Sequence, residues 1–410
     1  MNSDDRDWLA DPRRPAVGPA WIGSFALAQF GLWLGLYAPL KVLLPLLADQ
    51  LASPGGGQKE TLLAAVSLAG SLVALLANPY AGALSDRSRS RWGSRRPWVL
   101  AGALTAAIGI QLLPQARVTA GMLAAWCLVK LGLNTTMAAL NGAVADQVPA
   151  RQQGTVWGWV GLVQPIGLVC GVALSTLLVP QLQQVAALQA ALVLLSALPI
   201  LWWLRATGQR TRPAPRLDGR AAFGHRPFAQ LWWSRCWLYL GWSMSTVYLL
   251  YFLEDRLGLP RPQALQAQTL LLALYAGGTV ASAALAGWLS DRSGNRLGFV
   301  IAGSGGMALA CSLLLISQTL QLALAASVLL GIAYGVYIAT HQALVLETLP
   351  DPQHSARDLG LFNAANTAPM VLSPALAWLC VTQLGGYTSL FAMATLLILA
   401  SMLPLRGFRH

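Results

Sequence analysis

The chain has 410 residues, with 27 Lys and Arg against 15 Asp and Glu, for a formal net charge of +12. Only 10% of residues are charged and 56% are hydrophobic, with a mean hydropathy of +0.55, whereas a soluble globular protein carries about 25% charged residues. A water-soluble enzyme and a disordered chain are both excluded on those grounds, and the basic excess leaves nucleic-acid binding to be decided by where the charges sit.

Residues 1–18 hold Asp4, Asp5, Asp7 and Asp11 and lack the basic n-region and short apolar h-region of a cleavable signal. The first apolar run is therefore expected to serve as its own targeting signal. Runs long enough to cross a bilayer, about 17 to 25 residues, then recur twelve times, at 19–48, 61–83, 98–115, 120–146, 154–179, 182–204, 229–252, 265–289, 298–317, 320–346, 360–382 and 385–405. They are long, Leu- and Ala-rich and without the short alternation of barrel strands, so each is predicted to satisfy its backbone as a helix. The expected fold class is all-α integral membrane.

With the N-terminus placed inside, 20 of the 27 Lys and Arg fall in inner connections. Four (Lys59, Arg117, Arg256 and Arg261) fall in outer ones, and Lys41, Lys130 and Arg235 fall inside helices. This is a positive-inside bias, and it accounts for the net charge without nucleic acid. A multi-pass protein of the cell inner (plasma) membrane with both termini cytoplasmic is expected. Trp21, Trp98, Trp202, Trp203, Trp232, Trp233 and Trp288 lie near inner helix ends and read as interfacial anchors. The five cysteines are isolated and read as packing residues.

An internal repeat divides the chain. GALSDR at 82–87 returns as GWLSDR at 287–292, an offset of half the chain, and at the same offset Arg91 and Gly93 meet Arg296 and Gly298. A looser echo relates 145–154 to 346–360, pairing Asp146 with Glu347, Arg151 with Arg357 and Gly154 with Gly360. The expected organisation is a cytoplasmic tail 1–18, a six-helix bundle 19–204, an Arg- and Pro-rich cytoplasmic linker 205–228, a second bundle 229–405 and a tail 406–410. Two six-helix halves in parallel repeat resemble the major facilitator architecture.

The stretch 78–102, NPYAGALSDRSRSRWGSRRPWVLAG, resembles the glycoside-pentoside-hexuronide symporters and the sucrose-type transporters of that superfamily. In those, a polar residue and Pro precede a small-residue turn, SDR, and then S-R-aromatic-G with a basic pair before Pro. The resemblance implies transport of a small organic solute by alternating access. Melibiose-type permeases place cation-binding carboxylates directly before that Pro and four residues earlier. Asn78 and Ala74 stand there in this chain, which argues against sodium coupling of that kind.

The loop acids lie where helices end among arginines, so ion-pair networks are expected: Asp86, Arg87, Arg91, Arg95, Arg96, Asp146 and Arg151 in one half, and Asp291, Arg292, Arg296, Glu347 and Arg357 in the other. The resemblance makes them a cytoplasmic gate that latches the outward-facing state. The alternative is that the arginines serve topology alone, which fits the acids less well because acidic residues contribute little to orientation.

Ionisable residues inside a membrane normally face a bundle interior or an aqueous cavity. Lys41, Lys130, Arg235 and His341 fall in helices one, four, seven and ten, which line the cavity in the fold that the repeat implies. At about 100° per residue, Lys130, Asn134, Met137 and Asn141 share a face; so do Arg235, Tyr239, Trp242 and Thr246, and Tyr334, Tyr337 and His341. Gln29 and Trp33 face together, with Lys41 at the edge of their stripe. Arg235 and Lys41 are each near enough to a helix end to snorkel instead; Lys130 is about 15 Å deep at about 1.5 Å per residue.

The apolar cores hold no Asp or Glu. Either a cationic cavity receives an anionic solute, or a proton rides on His341 or on a Lys130 perturbed by burial. The expected partners are a small-molecule substrate, a co-transported proton and the bilayer, with the protein working as a monomer. Sugar or glycoside transport is favoured, and efflux of drugs or organic anions is the alternative. No H-E-x-x-H, G-x-S-x-G or P-loop occurs, so no enzyme activity, metal or cofactor is expected.

Overall fold

The computed structural model describes residues 15–52, 58–88, 90–178, 181–204, 223–348 and 355–408, with the side chains of 150, 346, 355–361 and 363 left aside. The expected N-terminal tail up to 14 and the expected linker up to 222 lie outside the described residues.

Among the described residues twelve helical elements follow one another, without strands. They are α1 (Pro19–Leu51), α2 (Gln58–Arg87), α3 (Arg96–Leu112), α4 (Thr119–Gln147), α5 (Ala150–Leu177), α6 (Leu182–Trp203), α7 (Arg226–Val247, continued after a bend by Leu249–Arg256), α8 (Arg261–Ser293), α9 (Arg296–Ile316), α10 (Leu320–Glu347), α11 (Ser355–Gln383) and α12 (Tyr387–Ala400). Ten are long and apolar enough to cross a membrane; α7 qualifies as a pair bent by 50°, and α12 is a shorter apolar helix of 14 residues. The protein is a multi-pass membrane protein.

Local chemistry sets the helix ends. Proline occupies the first turn of α1, α3, α7 and α8, where its missing N–H costs nothing. Asn295 and Thr319 cap α9 and α10 by accepting from Gly298 N and Leu322 N. Gly294, at φ +66°, ends α8 in the left-handed conformation that a side chain would resist. Helices α1 and α7 each contain a π-turn, at Pro39–Leu43 and Phe252–Arg256. Neither is marked by the hydropathy pattern.

The helices group into two compact units. The first comprises residues up to 47 and 72–214; the second comprises 48–71 and 215–410. In the first, α1 packs on α5 and α6, and α3 packs on α4 and α6. In the second, α7 packs on α11 and α12, and α9 packs on α10 and α12, with α8 also against α10. Apart from α8 on α10, which has no α2–α4 counterpart, the two patterns match, as the sequence repeat requires.

Small residues permit the close crossings. A Cβ at Gly132 on α4 would collide with the α3 backbone at Gly102 and Ala106. The core of the second unit gathers Phe228, Leu231, Leu238, Met307, Cys311 and Leu344, all fully buried. Large apolar side chains such as Leu76, Ile166, Leu195, Leu285 and Leu396 are meanwhile exposed, the distribution suited to lipid as outer solvent.

Two sequence readings need correction. Trp202 and Trp288 are exposed as interfacial anchors should be, but Trp21 is buried, stacks on Phe25 and donates Nε1 to Gln147 Oε1 at 3.0 Å. It is a packing residue, because the last turn of α4 covers it. Of the cysteines, Cys311 and Cys380 are buried while Cys170 is on an exposed face.

Candidate functional site

The loop cluster of the first unit is built around one guanidinium. Arg95, just before α3 and 8% exposed, donates Nη2 to Asp86 Oδ1 at 2.5 Å, Nε to Asp146 Oδ2 at 2.8 Å and Nη1 to Ser85 Oγ at 2.5 Å. Burial pulls the Arg95 pKa down, but the hydrogen bonds and charges of Asp146 and then Asp86 outweigh it, so the net shift is upward. Gly142 on α4 makes room: a Cβ there would lie 2.5 Å from Arg95 Cζ. Arg87 and Arg91 are exposed and make no ion pair among the described residues. Arg96 turns away and donates Nη2 to Trp202 O at 3.3 Å, and Arg151 is exposed at the start of α5.

In the second unit Arg296 bridges Asp291, at 2.7 Å, and Glu347. Arg292 lies instead over the Trp288 ring, 5.6 Å from its centroid. Arg357 is on α11, with its side chain outside the described residues. The partner of Arg296 in the repeat is thus Arg95, not Arg91. From Asp86 to Arg95 the chain takes nine steps, and from Asp291 to Arg296 only five. The turn glycines follow the same shift, with Gly93 (φ +96°) and Gly294 (φ +66°) as counterparts, because Gly298 is already helical. A constant offset missed the shortening of the second loop. Pairing Asp146 with Glu347, which lie at the shorter offset, was the available clue.

Within the membrane region of the second unit, aromatic side chains and one guanidinium form a continuous set. Trp242 and Tyr334 stack at 5.3 Å with an 11° interplanar angle. The Tyr239 and Tyr334 hydroxyls are 3.1 Å apart, and Tyr275 adds a ring 5.8 Å from Tyr334. Arg235, 3% exposed, lies over Tyr239 and Phe362 and donates Nη1 to Gln342 Oε1 at 2.9 Å. Tyr337 and His341 are fully buried, with ring centroids 4.8 Å apart, and Phe362 lies 5.8 Å beyond His341.

The structure divides the predicted faces by burial: Trp242 and Tyr334 are half-buried, whereas Tyr337 and His341 are fully buried. Gln342, Tyr275 and Phe362 were not singled out by the sequence. Gln342 follows His341 and falls off the Tyr334–Tyr337–His341 stripe, and the other two lie on α8 and α11, outside helices one, four, seven and ten.

In the first unit Trp33 stacks on Tyr37 at 5.8 Å and 19°, and Gln164 Nε2 approaches the Tyr37 hydroxyl at 3.4 Å. Gln29 is 1% exposed. Lys41 is 9% exposed, inside the π-turn of α1. On α4 the Lys130 ammonium lies 5.7 Å from the Trp126 ring centroid, and Asn134 Nδ2 donates to Lys130 O at 2.8 Å. The side-chain oxygen of Asn141 and the indole N–H groups of Trp33 and Trp242 are buried without hydrogen-bond partners among the described residues.

Residues 22–269 and 231–409 match the Major Facilitator Superfamily. The chain belongs to that family. It is a transporter rather than an enzyme, all-helical and spanning the membrane, and a small-molecule substrate goes with that membership. Among characterised proteins it is 29% identical, over 137 residues, to a general alpha-glucoside permease of Schizosaccharomyces pombe, a match covering 30% of this chain and 25% of that relative. The chain therefore spans about a quarter of that relative's length.

Solved structures of similar fold include the nucleoside transporter NupG in its D323A form (TM-score 0.74, 14% identity, 95% of this chain and 99% of that one). The human organic anion transporter MFSD10 is also similar (TM-score 0.69, 16% identity, 95% and 100%). So is a bacterial homolog of the human lysosomal transporter Spinster (TM-score 0.67, 15% identity, 96% and 96%). At these identities the likeness is one of fold.

Proposed function

We propose that this transporter moves a sugar or glycoside by alternating access, with 19–204 and 229–405 as its two halves and a proton as the coupled ion. The observation that carries the substrate class is a pair of aromatic platforms, Trp33 with Tyr37 and Trp242 with Tyr334, each bearing an unspent indole N–H. A pyranose offers an apolar face to stack on such rings and hydroxyls to accept from such donors. The resemblance of 78–102 to glycoside transporters and the partial likeness to an alpha-glucoside permease point the same way.

In this reading the substrate contacts are drawn from Gln29, Trp33, Lys130, Asn134, Asn141, Arg235, Trp242 and Tyr334. Tyr337 and His341 support them from behind, and Lys41 is placed by its π-turn. The Arg95 and Arg296 clusters lie on the cytoplasmic side with both termini, where they close the inner gate. A monomer contains every part.

A second reading has its own observation: no carboxylate pairs with Lys130 or Arg235 among the described residues, which suits an organic anion. Counterflow in proteoliposomes separates the two. Purified protein preloaded with unlabelled glucosides is expected to accumulate labelled glucoside and to ignore labelled organic anions. The opposite pattern would establish the second reading, and a pH gradient that leaves glucoside uptake unchanged would remove the coupled proton.

A further inference from the structure

Four carboxylates and two cations meet in the second unit where α8 begins, at the other end of that helix from Asp291. Asp49 ends α1, Lys59 and Glu60 open α2, Glu254 and Asp255 lie in the π-turn of α7, and Arg261 opens α8. Arg261 serves two of the acids, donating Nε to Glu254 at 2.8 Å and Nη2 to Asp49 at 2.7 Å. Lys59 is committed to Asp255, whose two oxygens both lie 2.9 Å from Nζ, and Asp255 also accepts the Tyr387 hydroxyl at 2.7 Å.

Glu60 is left over. Its side chain is 8% exposed, the Lys59 ammonium stands 4.0 Å from Oε1, and Oε2 is buried without a hydrogen-bond partner among the described residues. Among the described residues the carboxylate has, besides Lys59, its own main-chain amide. The Tyr248 hydroxyl, 1% exposed, donates to the Glu60 carbonyl rather than to the carboxylate, and Tyr251 turns its ring face to Lys59 at 4.6 Å. Thr61 next to it takes the Trp378 indole N–H.

Three influences favour the charged form of Glu60: the hydrogen bond from its own main-chain amide, the nearby Lys59 ammonium and the first-turn position on α2. Three oppose it: lost hydration, the negative charge of Asp255, which has already taken Lys59, and the negative charge of Asp49. Four acids share two cations, Arg261 lies on Asp49 and Glu254, and Lys59 hydrogen-bonds Asp255 at 2.9 Å while standing 4.0 Å from Glu60, so a proton on Glu60 relieves the excess negative charge at the most weakly paired and most buried acid. We infer that Glu60 is a proton-binding site, holding a proton while this cluster is assembled and releasing it to water when the cluster opens. The exchange is a plain protonation of the carboxylate by solvent and needs no further reactant. Its use in driving solute movement rests on the transport reading proposed above, but the proton site itself does not. Glu60 directly precedes the apolar run 61–83 and so lies outside the acid-free apolar cores.

The test is infrared spectroscopy of the full-length protein in lipid, titrated with acid and base in potassium buffer and again in sodium buffer, with no solute added. A protonated-carboxyl C=O band is expected at neutral pH in both buffers and absent in Glu60→Gln. Asp255→Asn frees Lys59 for Glu60, so the band should then persist only at a proton concentration at least about tenfold higher, which keeps the test decisive if Glu60→Gln does not fold. A wild-type band missing at neutral pH, one that survives Glu60→Gln, one unmoved in Asp255→Asn, or one abolished by sodium would each overturn the assignment, the last by making the cluster a metal-cation site. A band that behaves as expected beside failed glucoside counterflow would remove the substrate reading alone.

Discussion

Arg95 reaches two carboxylates and a hydroxyl because the helix beneath it carries a glycine. Gly142 has no φ requirement, and its missing Cβ is the space that the guanidinium occupies. Gly142→Ala is therefore expected to displace Arg95 from Asp146 and to cost about 1.5 to 3 kcal/mol, the range for a hydrogen bond to a charged group. Thermal unfolding checks this in a double-mutant cycle. In the Arg95→Ala background the alanine should cost almost nothing, and simple additivity would show that Gly142 has another role. On the membrane-embedded face, Trp242→Phe keeps a ring to stack on Tyr334 and removes the unpartnered N–H. If that donor is kept for solute, the apparent affinity in counterflow should fall about fivefold, equivalent to about 1 kcal/mol, with an unchanged melting temperature.

At the scale of elements, the helices were legible because a bilayer forces each spanning segment to be long, apolar and self-satisfied. Their interruptions were not. The π-turns of α1 and α7 place Lys41 in one helix and Glu254 and Asp255 in the other, and an extra residue in one turn leaves hydropathy untouched. Helix crossings were equally silent, since a glycine facing a neighbour reads like one facing lipid. The α3–α4 crossing gives a direct expectation: Gly132→Leu should force these helices apart and destabilise the first unit by about 1 to 3 kcal/mol. Reduced recovery in size-exclusion chromatography after mild heating would measure it, while Gly154→Leu, where a Cβ meets open space, should behave as wild type.

Over the whole molecule, the proposed gate assigns a shared task to two clusters whose acids come from different helices. Asp86→Asn removes one of the two negative charges paired with Arg95 without changing any Lys or Arg, so insertion should be normal while solute counterflow falls at least about tenfold. Normal transport by a normally inserted mutant would return these loops to a purely topological role. The sequence by itself determined the solvent, the helix count, the charge bias and the repeat, because membrane energetics act on composition over about twenty residues at a time. It also marked Lys130, Arg235 and Trp242 by their cost or their spacing. Only the tertiary structure decided that Arg95 rather than Arg91 answers Arg296, that Tyr337 and His341 lie behind Tyr334 in the core, and that Glu60 shares its nearest cation, Lys59, with the closer Asp255. Each of these is a question of which groups lie within about 3 Å of one another, and hydropathy and spacing along the chain do not fix distances between helices.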